Sequence, residues 1–203
     1  DEGKQFFVRR IDFSGNTTTR DKVIRRELLV QEGMLFNSRL WELSILRLNR
    51  LDYFDKLAPD KASDIQPNNN DSTVDIALAV KEKGKNTIGF NGGVSGLSGS
   101  FIGFNYQTNN FMGRGETLTF DAQLGSLERN ILIGLAHPYM FDRPLQGGFT
   151  FFSRRYNFNE ANQANIFAGQ DLRLEEFLGG ENIQNYRQSS VGFNMFASYP
   201  LRN

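Results

Sequence analysis

The pattern of hydrophobic and polar positions changes near residue 84. Before that point the chain shows both strand-like alternation and helix-like spacing of apolar residues, whereas after it alternation dominates. An alternating segment predicts a strand with one apolar and one polar face, because successive side chains on a strand point to opposite sides. The pattern therefore predicts two parts, an α+β module at residues 1–84 and an antiparallel β-sheet at residues 85–203.

The α+β module opens with a predicted strand and a predicted helix. Residues 6–13 alternate from Phe7 onward and end at the turn-forming sequence Ser14-Gly15-Asn16. Residues 20–30 place apolar side chains at helical spacing. Gly33 follows them and accepts the left-handed conformation that commonly ends a helix. We therefore expect a strand, a tight turn and a helix over residues 20–30.

A second helix is predicted after Asn37 or Ser38, because either residue is a good helix N-cap. Trp41 stands near its start and is expected in the core rather than at a ligand site. The predicted apolar stripe of this helix consists of Leu40, Leu43, Leu46, Leu48 and Leu51.

Two further strands complete the predicted order strand, helix, helix, strand, strand. Residues 72–82 form a long apolar strand that needs neighbours on both sides, and residues 59–71 are expected to be a polar loop. A short strand at the sheet edge either accepts an extended peptide as an added strand or is blunted by solvent, and the sequence leaves both open. The expected edge strand consists of Tyr53, Phe54, Asp55, Lys56 and Leu57.

The remainder of the chain predicts about six strands of roughly ten residues, the length that tilted membrane-spanning strands require. Strand-like alternation alone is also typical of a soluble antiparallel sandwich, so this pattern leaves both architectures open. The predicted strands are residues 87–94, 100–107, 117–124, 130–137, 148–157 and 190–199.

Composition fits this alternation without choosing between the two architectures. The chain has 19 Phe and 20 Gly among 203 residues, yet its mean hydropathy is −0.45. The predicted polar loop at 160–185 is too long for a compact sandwich unless it is functional. In a membrane barrel, aromatic residues at strand ends form the interfacial girdles, whereas in a soluble protein they cap the core. The aromatic residues at predicted strand ends are Phe111, Tyr139, Phe141, Tyr156, Phe158 and Tyr199.

Charge and chemistry argue against several functional classes. The 23 basic and 23 acidic side chains give a net charge of zero, so no basic face predicts nucleic-acid binding. The chain has no cysteine, and the single histidine, His137, has no Cys or second His with which to share a metal. The segment Gly93–Leu97 lacks the final glycine of a Gly-x-Ser-x-Gly nucleophile elbow. We expect no enzyme activity, catalytic residue, metal or cofactor.

Three short motifs resemble those of one known family. Ile11-Asp12-Phe13-Ser14-Gly15-Asn16 before two helices resembles the opening of a POTRA domain, the periplasmic repeat of outer-membrane assembly factors. Residues 109–116, which include Gly113, Arg114 and Gly115, resemble the turn between the second and third barrel strands of BamA-like insertases. His137-Pro138-Tyr139 with Phe141-Asp142 is similar to the end of their fourth strand. The motifs occur in the family's order along nearly the whole chain.

The resemblance implies a membrane-proximal POTRA domain at residues 1–84 followed by the first strands of a transmembrane β-barrel at 85–203. It implies an outer-membrane location, with the N-terminal domain in the periplasm. The parent protein would fold and insert outer-membrane proteins. Its implied partners are nascent outer-membrane proteins, periplasmic chaperones or accessory lipoproteins of an assembly complex, and membrane lipid. Because a sheet of this size cannot close around a lumen, we expect the chain to be a truncated piece of a longer protein.

The resemblance also implies a mechanism based on strand pairing. The first barrel strand would pair imperfectly with the last and offer its edge to an incoming strand. Glycines in that strand leave few side chains to lock the seam, although they could equally relieve crowding at a bend. The implied seam consists of Thr87, Ile88, Gly89, Phe90, Asn91, Gly92, Gly93 and Val94.

Two alternatives to an insertase remain open. The two-partner secretion pores share POTRA modules and a related barrel, but they export a partner polypeptide. A soluble scaffold or adhesion module would show the same alternation of strands. The soluble alternative differs from the others in predicting that residues 86–203 fold without lipid or detergent.

Overall fold

A computed structural model of the chain describes residues 4–84, 86–95, 99–159 and 185–200. The chain divides into two compact units. The first unit contains Asp1–Lys85 together with Asn109–Gly115, and the second contains Asn86–Thr108 and Glu116–Asn203. No helix in the described ranges is long and apolar enough to span a membrane. The loop predicted at 160–185 lies almost wholly outside the described residues. Residues 96–98, between the predicted strands at 87–94 and 100–107, also lie outside them.

In residues 4–84, the first unit contains three strands and three helices. They are β1 (Phe7–Ser14), α1 (Asp21–Arg25), α2 (Ser38–Leu51), α3 (Pro59–Ala62), β2 (Ser63–Asn68) and β3 (Thr73–Ala79). The strands form one sheet in the order β1-β3-β2. The apolar strand β3 lies in the middle, as predicted, with β1 parallel and β2 antiparallel to it.

The core of this unit forms where the helices cover one face of the sheet. On β3, Val74, Ile76 and Leu78 are buried, as their alternation predicted. On β1, Val8 and Ile11 are both buried although they are three residues apart, because the register shifts between Val8 and Arg10. Such a bulge adds one residue to the strand and turns the following side chains to the other face. Alternation in the sequence did not predict this bulge.

Helix α2 begins as predicted, and its buried face differs from the predicted stripe. The side chain of Asn37 accepts a hydrogen bond from the backbone N–H of Leu40 and caps the helix. Trp41 is buried, as expected, and its indole N–H donates to the Ser63 hydroxyl at 2.9 Å. Leu43 and Leu46 are exposed, so their assignment to the stripe is wrong. The buried residues of the helix are Trp41, Ser44, Ile45 and Leu48.

The predicted edge strand at Tyr53–Leu57 is wrong, because residues 63–68 form the strand at that edge of the sheet. Residues 53–57 instead contribute buried side chains to the core, and only an isolated bridge joins Phe54 to Glu82. The amide side chain of Asn49 bonds both backbone groups of Leu57, accepting from N–H at 2.8 Å and donating to C=O at 2.9 Å. A side chain therefore satisfies backbone groups that a neighbouring strand would otherwise bond.

Two other predictions for the first unit need correction. The first helix spans only 21–25 rather than 20–30, because Glu27 and Leu28 donate to carbonyls three residues earlier and the helix tightens and ends. The segment 59–71 is not an unstructured polar loop, since it contains α3 and β2. The polar residues of β2 misled the prediction because an edge strand needs little apolar surface.

The second unit is a six-stranded antiparallel sheet with strands in sequence order. The described residues confirm all the predicted strands, most of which are longer than their apolar cores. The strands are β4 (Asn86–Ser95), β5 (Gly99–Phe111), β6 (Glu116–Gly125), β7 (Glu128–His137), β8 (Gln146–Asn159) and β9 (Asn185–Ser198). One face carries exposed large apolar side chains, including Phe90, Ile133 and Phe193.

Candidate strand-pairing edges

Strand β4 lies at one end of the six-stranded sheet. It pairs with β5 along its whole length, from Asn86 opposite Thr108 to Ser95 opposite Gly99. No other described strand pairs with its second edge. A strand at a sheet edge presents unpaired N–H and C=O groups to any chain that approaches it. The structure therefore brings the seam residues predicted at 87–94 together on one open edge.

The two faces of β4 differ in character. Ile88, Phe90 and Val94 are 59%, 76% and 75% exposed on the same face. The ring of Phe90 lies 5.2 Å from that of Phe104 on β5, and Phe104 lies 5.9 Å from Phe120 on β6. Such aromatic pairs contribute about 0.5–1.5 kcal/mol each beyond the area they bury. This aromatic row therefore fixes β4 to its inner neighbour and leaves its outer edge open.

The glycines at positions 89 and 93 of β4 differ in how closely other side chains approach them. A Cβ at Gly89 would lie 2.1 Å from the Asn105 side-chain oxygen, so the glycine makes room for that asparagine. The same relation holds on β5, where Gly103 makes room for Asn91. At Gly93 a Cβ would meet only the Phe101 ring at 3.5 Å, which is ordinary contact. Close packing therefore accounts for Gly89, whereas Gly93 leaves the strand without a side chain that the space would allow.

At the other end of the same sheet, β9 also has no described neighbour on its outer side. A further open edge belongs to β2 in the first unit. On a strand in the middle of a sheet, the N–H and C=O groups of one residue point to one neighbouring strand, and those of the next residue point to the other. The Val80 N–H donates to Ser14 at 2.8 Å, and the Ser72 carbonyl accepts from Phe7. Even-numbered residues of β3 therefore face β1, so their partners Ile65 and Pro67 on β2 point their backbone groups to the open side. The absence of an N–H in Pro67 agrees with this assignment.

The outer edge of β1, in contrast, is covered. The backbone of residues 33–36 bonds that of Phe6 and Val8. Further along, the Ile11 N–H donates to the Glu32 carboxylate at 3.0 Å, and the Arg25 guanidinium donates to the Ile11 carbonyl at 3.1 Å. The hydrogen bond from Ile11 is the main cause that lowers the pKa of Glu32, and Arg25 lowers it further. Two side chains thus occupy the place of an added strand.

The turn motif Gly113, Arg114 and Gly115 belongs to the first compact unit. The Gly113 carbonyl accepts from the Arg20 N–H at 3.0 Å, and the Asn110 amide donates to the Thr19 hydroxyl at 2.8 Å. A Cβ at Gly113, where φ is +69°, would lie 1.9 Å from the Thr18 carbonyl oxygen. Glycine is therefore required there by both conformation and space.

Tyr53 also contacts this turn. Its hydroxyl donates to the Gly115 carbonyl at 3.3 Å, and burial raises its pKa while Arg26 acts in the opposite direction. Arg114 is exposed, whereas the glycines on either side of it are buried. The sequence indicated this motif only through a resemblance, and its contacts with residues 18–20 and 53 were not predicted.

Several edge residues were missed from the sequence. Pro67 was the one local signal for an edge strand, since proline within sheets is confined to edges and bulges. The pair Arg25 and Glu32 has no sequence signature for covering a strand. No group of His, Cys, Asp or Glu within the described ranges is arranged to hold a metal ion.

Comparison with known proteins agrees with both units. Residues 6–83 match the POTRA family, described as a surface antigen variable number repeat. The outer membrane protein assembly factor BamA of Buchnera aphidicola is 30% identical over 193 residues, which cover 95% of this chain and 30% of that protein. The chain therefore spans less than a third of the length of this relative.

Among the solved structures that resemble the chain are one BamA and one CdiB. The crystal structure of Haemophilus ducreyi BamA lacking POTRA domains 1–3 aligns with a TM-score of 0.66 and 27% identity, over 77% of this chain and 29% of that one. CdiB from Escherichia coli aligns with a TM-score of 0.51 and 16% identity, over 77% of this chain and 29% of that one. The second likeness is one of fold alone.

Proposed function

Residues 6–83 are a POTRA domain and the chain is BamA-like along 95% of its length, and from this premise we propose that the parent protein folds and inserts β-barrel proteins. The chain lies in the outer membrane, with its POTRA domain in the periplasm. Its six-stranded sheet is taken as part of a transmembrane barrel, and the likeness to Haemophilus ducreyi BamA supports this assignment. The proposed mechanism is pairing of client strands with an open edge of this sheet, and it involves no covalent chemistry.

The open edge of β4 is the observation that carries this proposal. All ten residues of the strand pair with β5 on one side, so its conformation is already that of a paired strand. Unpaired backbone N–H and C=O groups are very unfavourable inside a membrane, where no water can bond them. A client strand that adds to β4 pairs its own backbone groups with those of the open edge as it enters the membrane. The proposed seam is therefore Thr87–Val94, with nascent outer-membrane proteins as clients.

Cysteine crosslinking in the full-length parent tests this seam. We would place a cysteine at Ile88 on β4, and a matched cysteine at Leu118 on β6, which lies on the same face of the sheet but has neighbours on both sides. A stalled client with cysteines along its last strand should form disulfides with position 88 at alternating client positions, because strand side chains repeat every second residue. Equal yields at 88 and 118 would contradict pairing at β4.

A polypeptide transporter remains the alternative, and the fold likeness to CdiB does not separate the two. A transported chain passes through the lumen, which the polar face of the sheet lines. It should therefore crosslink to a cysteine on that face at any position along its length, with no alternation between neighbouring positions. A cysteine at Asn105 reports on that face. Crosslinks from 105 spread along the whole passenger, together with none from 88, would favour the transporter.

The open edge of β2 supplies a second proposed contact. An extended client segment in the periplasm could add to this strand by backbone hydrogen bonds before it reaches the membrane. Ile65 offers both N–H and C=O, whereas Pro67 offers only its carbonyl. Periplasmic chaperones and accessory lipoproteins are proposed as partners of the POTRA domain, and membrane lipid as a partner of the apolar face of the sheet.

A further inference from the structure

An apolar cavity of about 500 Å³ lies at one end of strands β7 to β9. Gly147 of β8 pairs with His137 and with Ala197, and Phe149 pairs with Leu135 and with Met195. These two rungs cross three strands and present their side chains on the same face. The cavity is therefore built by the register of the sheet and lies within the second unit.

The turn between β7 and β8 covers part of this cavity. Met140 and Leu145 both line it, and the Met140 N–H donates to the Leu145 carbonyl at 2.8 Å, which closes the turn. A Cβ at Gly147 would lie 2.1 Å from the Met140 sulfur. The glycine thus gives Met140 the space to lie over the strand. Met195, at 72% exposure, leaves the cavity open on the other side.

One polar atom in this apolar lining has no partner. The Nδ1 atom of His137 is buried and forms no hydrogen bond with any described residue. Buried polar atoms are nearly always hydrogen-bonded, because leaving one unpaired forfeits its bonds with water. The cavity lining therefore combines a large apolar wall with a single unsatisfied nitrogen.

The topology places this cavity on the membrane-facing side at the periplasmic end of the strands. Strand β4 follows the periplasmic domain, and successive antiparallel strands alternate direction, so β7 ends at the level where β4 begins. Ile131, Ile133 and Phe151 lie on the same face as the cavity and are each 39% exposed. In a transmembrane sheet, the apolar face is the one that meets lipid.

We propose that this cavity binds a phospholipid of the periplasmic leaflet. The acyl chain occupies the apolar wall formed by Leu135, Phe149 and Met195, in continuity with the lipid-facing surface. When the imidazole of His137 turns about χ2 toward the cavity, the ester or phosphate oxygens of the same lipid accept a hydrogen bond from its Nδ1–H, which thereby gains the partner it lacks. The site is independent of whether the parent inserts or transports polypeptides.

Photolabelling of the full-length parent protein in nanodiscs tests this site. The nanodiscs contain phosphatidylethanolamine and phosphatidylglycerol. A fraction of the phosphatidylethanolamine carries a diazirine in its acyl chain, and mass spectrometry locates the residues that it labels. Ala197 and Met195 should be labelled about tenfold more than Val191, a difference corresponding to about 1.4 kcal/mol. Val191 is the matched reference, because it lies on the same strand and face outside the cavity.

Three variants sharpen the test. Ala197→Phe fills the cavity and should abolish the excess labelling, whereas Val191→Phe places the same ring on the same face outside the cavity and should not. His137→Phe keeps a ring but removes the nitrogen, and should reduce retained phospholipid about threefold to tenfold, the effect of one hydrogen bond. Equal labelling of 191 and 197 in the unmodified protein would indicate ordinary boundary lipid and overturn the proposal. A cavity that stays unlabelled because a segment of the parent covers it would also overturn it.

Discussion

At the scale of single residues, Glu82 joins the end of the last POTRA strand to the first turn of the domain. Its carboxylate accepts hydrogen bonds from the backbone N–H groups of Thr18 at 3.0 Å and Thr19 at 2.5 Å, and from the Thr17 hydroxyl at 3.1 Å. Burial raises the pKa of Glu82, but these hydrogen bonds lower it by more, so the net pKa lies below its ordinary value. One carboxylate therefore orders three consecutive residues.

Replacing Glu82 should loosen this turn in a pH-dependent way. In Glu82→Gln, amide hydrogen exchange in a peptide covering 14–22 should quicken about fivefold at neutral pH, since the amide keeps one acceptor oxygen but loses the charge, a difference of about 1 kcal/mol. A lowered folded-state pKa stabilises the turn above the unfolded-state pKa, and this contribution disappears as pH falls through the folded-state pKa. The difference between variant and parent should therefore vanish in acid.

The exposed residue Glu42 supplies the control for this measurement. Glu42→Gln removes an equal charge without touching the turn, and it should leave exchange in 14–22 unchanged. Similar exchange in all three proteins at neutral pH would show that the carboxylate of Glu82 does not order the turn.

At the scale of elements, the two outer edges of the POTRA sheet are treated differently. The edge of β1 is closed by residues 33–36 and by the pair Arg25 and Glu32, whereas β2 has no described neighbour on its outer side. Edge strands are commonly protected against unwanted pairing. Closing one edge and leaving the other open restricts strand addition to β2.

Proline substitutions on β2 separate pairing from folding. Ile65→Pro removes an N–H that faces the open side, so the domain should stay folded while a synthetic peptide from the last strand of an outer-membrane protein loses affinity by about tenfold. Gln66→Pro removes an N–H that faces β3 and should destabilise the sheet by about 3 kcal/mol. Circular dichroism and peptide titration measure the two effects. Unchanged peptide affinity in a folded Ile65→Pro variant would exclude the β2 edge as the binding site.

The sequence correctly predicted those elements that depend on neighbouring residues and failed for those that depend on distant contacts. The alternation at Val74, Ile76 and Leu78 correctly gave the central strand, and Asn37 correctly gave a helix start, because both depend on neighbouring residues. The segment 53–57 was assigned to an edge strand although its apolar side chains serve the core and a distant amide, Asn49, satisfies Leu57. Tertiary partners of that kind leave no periodic signal.

The candidate sites were likewise predicted only as far as they depend on neighbouring residues. The segment Thr87–Val94, proposed as the seam, was located as a strand by its alternation, but its place at the end of the sheet depends on how all the other strands pair. The cavity around His137 was not predicted, because it requires the registers of three strands and a turn to be known together. A lone histidine in the sequence indicated only a structural residue.

At the scale of the whole molecule, the second unit presents one apolar face that the described residues do not cover. Phe90, Ile102 and Val191 are 76%, 63% and 70% exposed. Soluble monomers rarely expose contiguous apolar patches larger than a few hundred Å². A sheet with this face is suited to lipid contact.

The second unit should therefore depend on an amphiphile. Residues 86–203 produced alone should aggregate in plain buffer and give β-sheet circular dichroism only with detergent or lipid, because both the apolar face and the two strand edges need cover. Size-exclusion chromatography in the two conditions measures this. A folded, monomeric product in plain buffer would refute the membrane assignment of these strands.

The turn at 109–115 has a consequence for how such proteins diversify. The family match ends at residue 83, but the compact unit that contains it also includes Asn109–Gly115. A recombination event that exchanged only the first 84 residues between two relatives would place Gly113 and Gly115 against residues 18–20 and 53 inherited from a different protein. Productive exchange of the domain must carry its distant turn along, so the inherited segment is longer than the repeat that defines it.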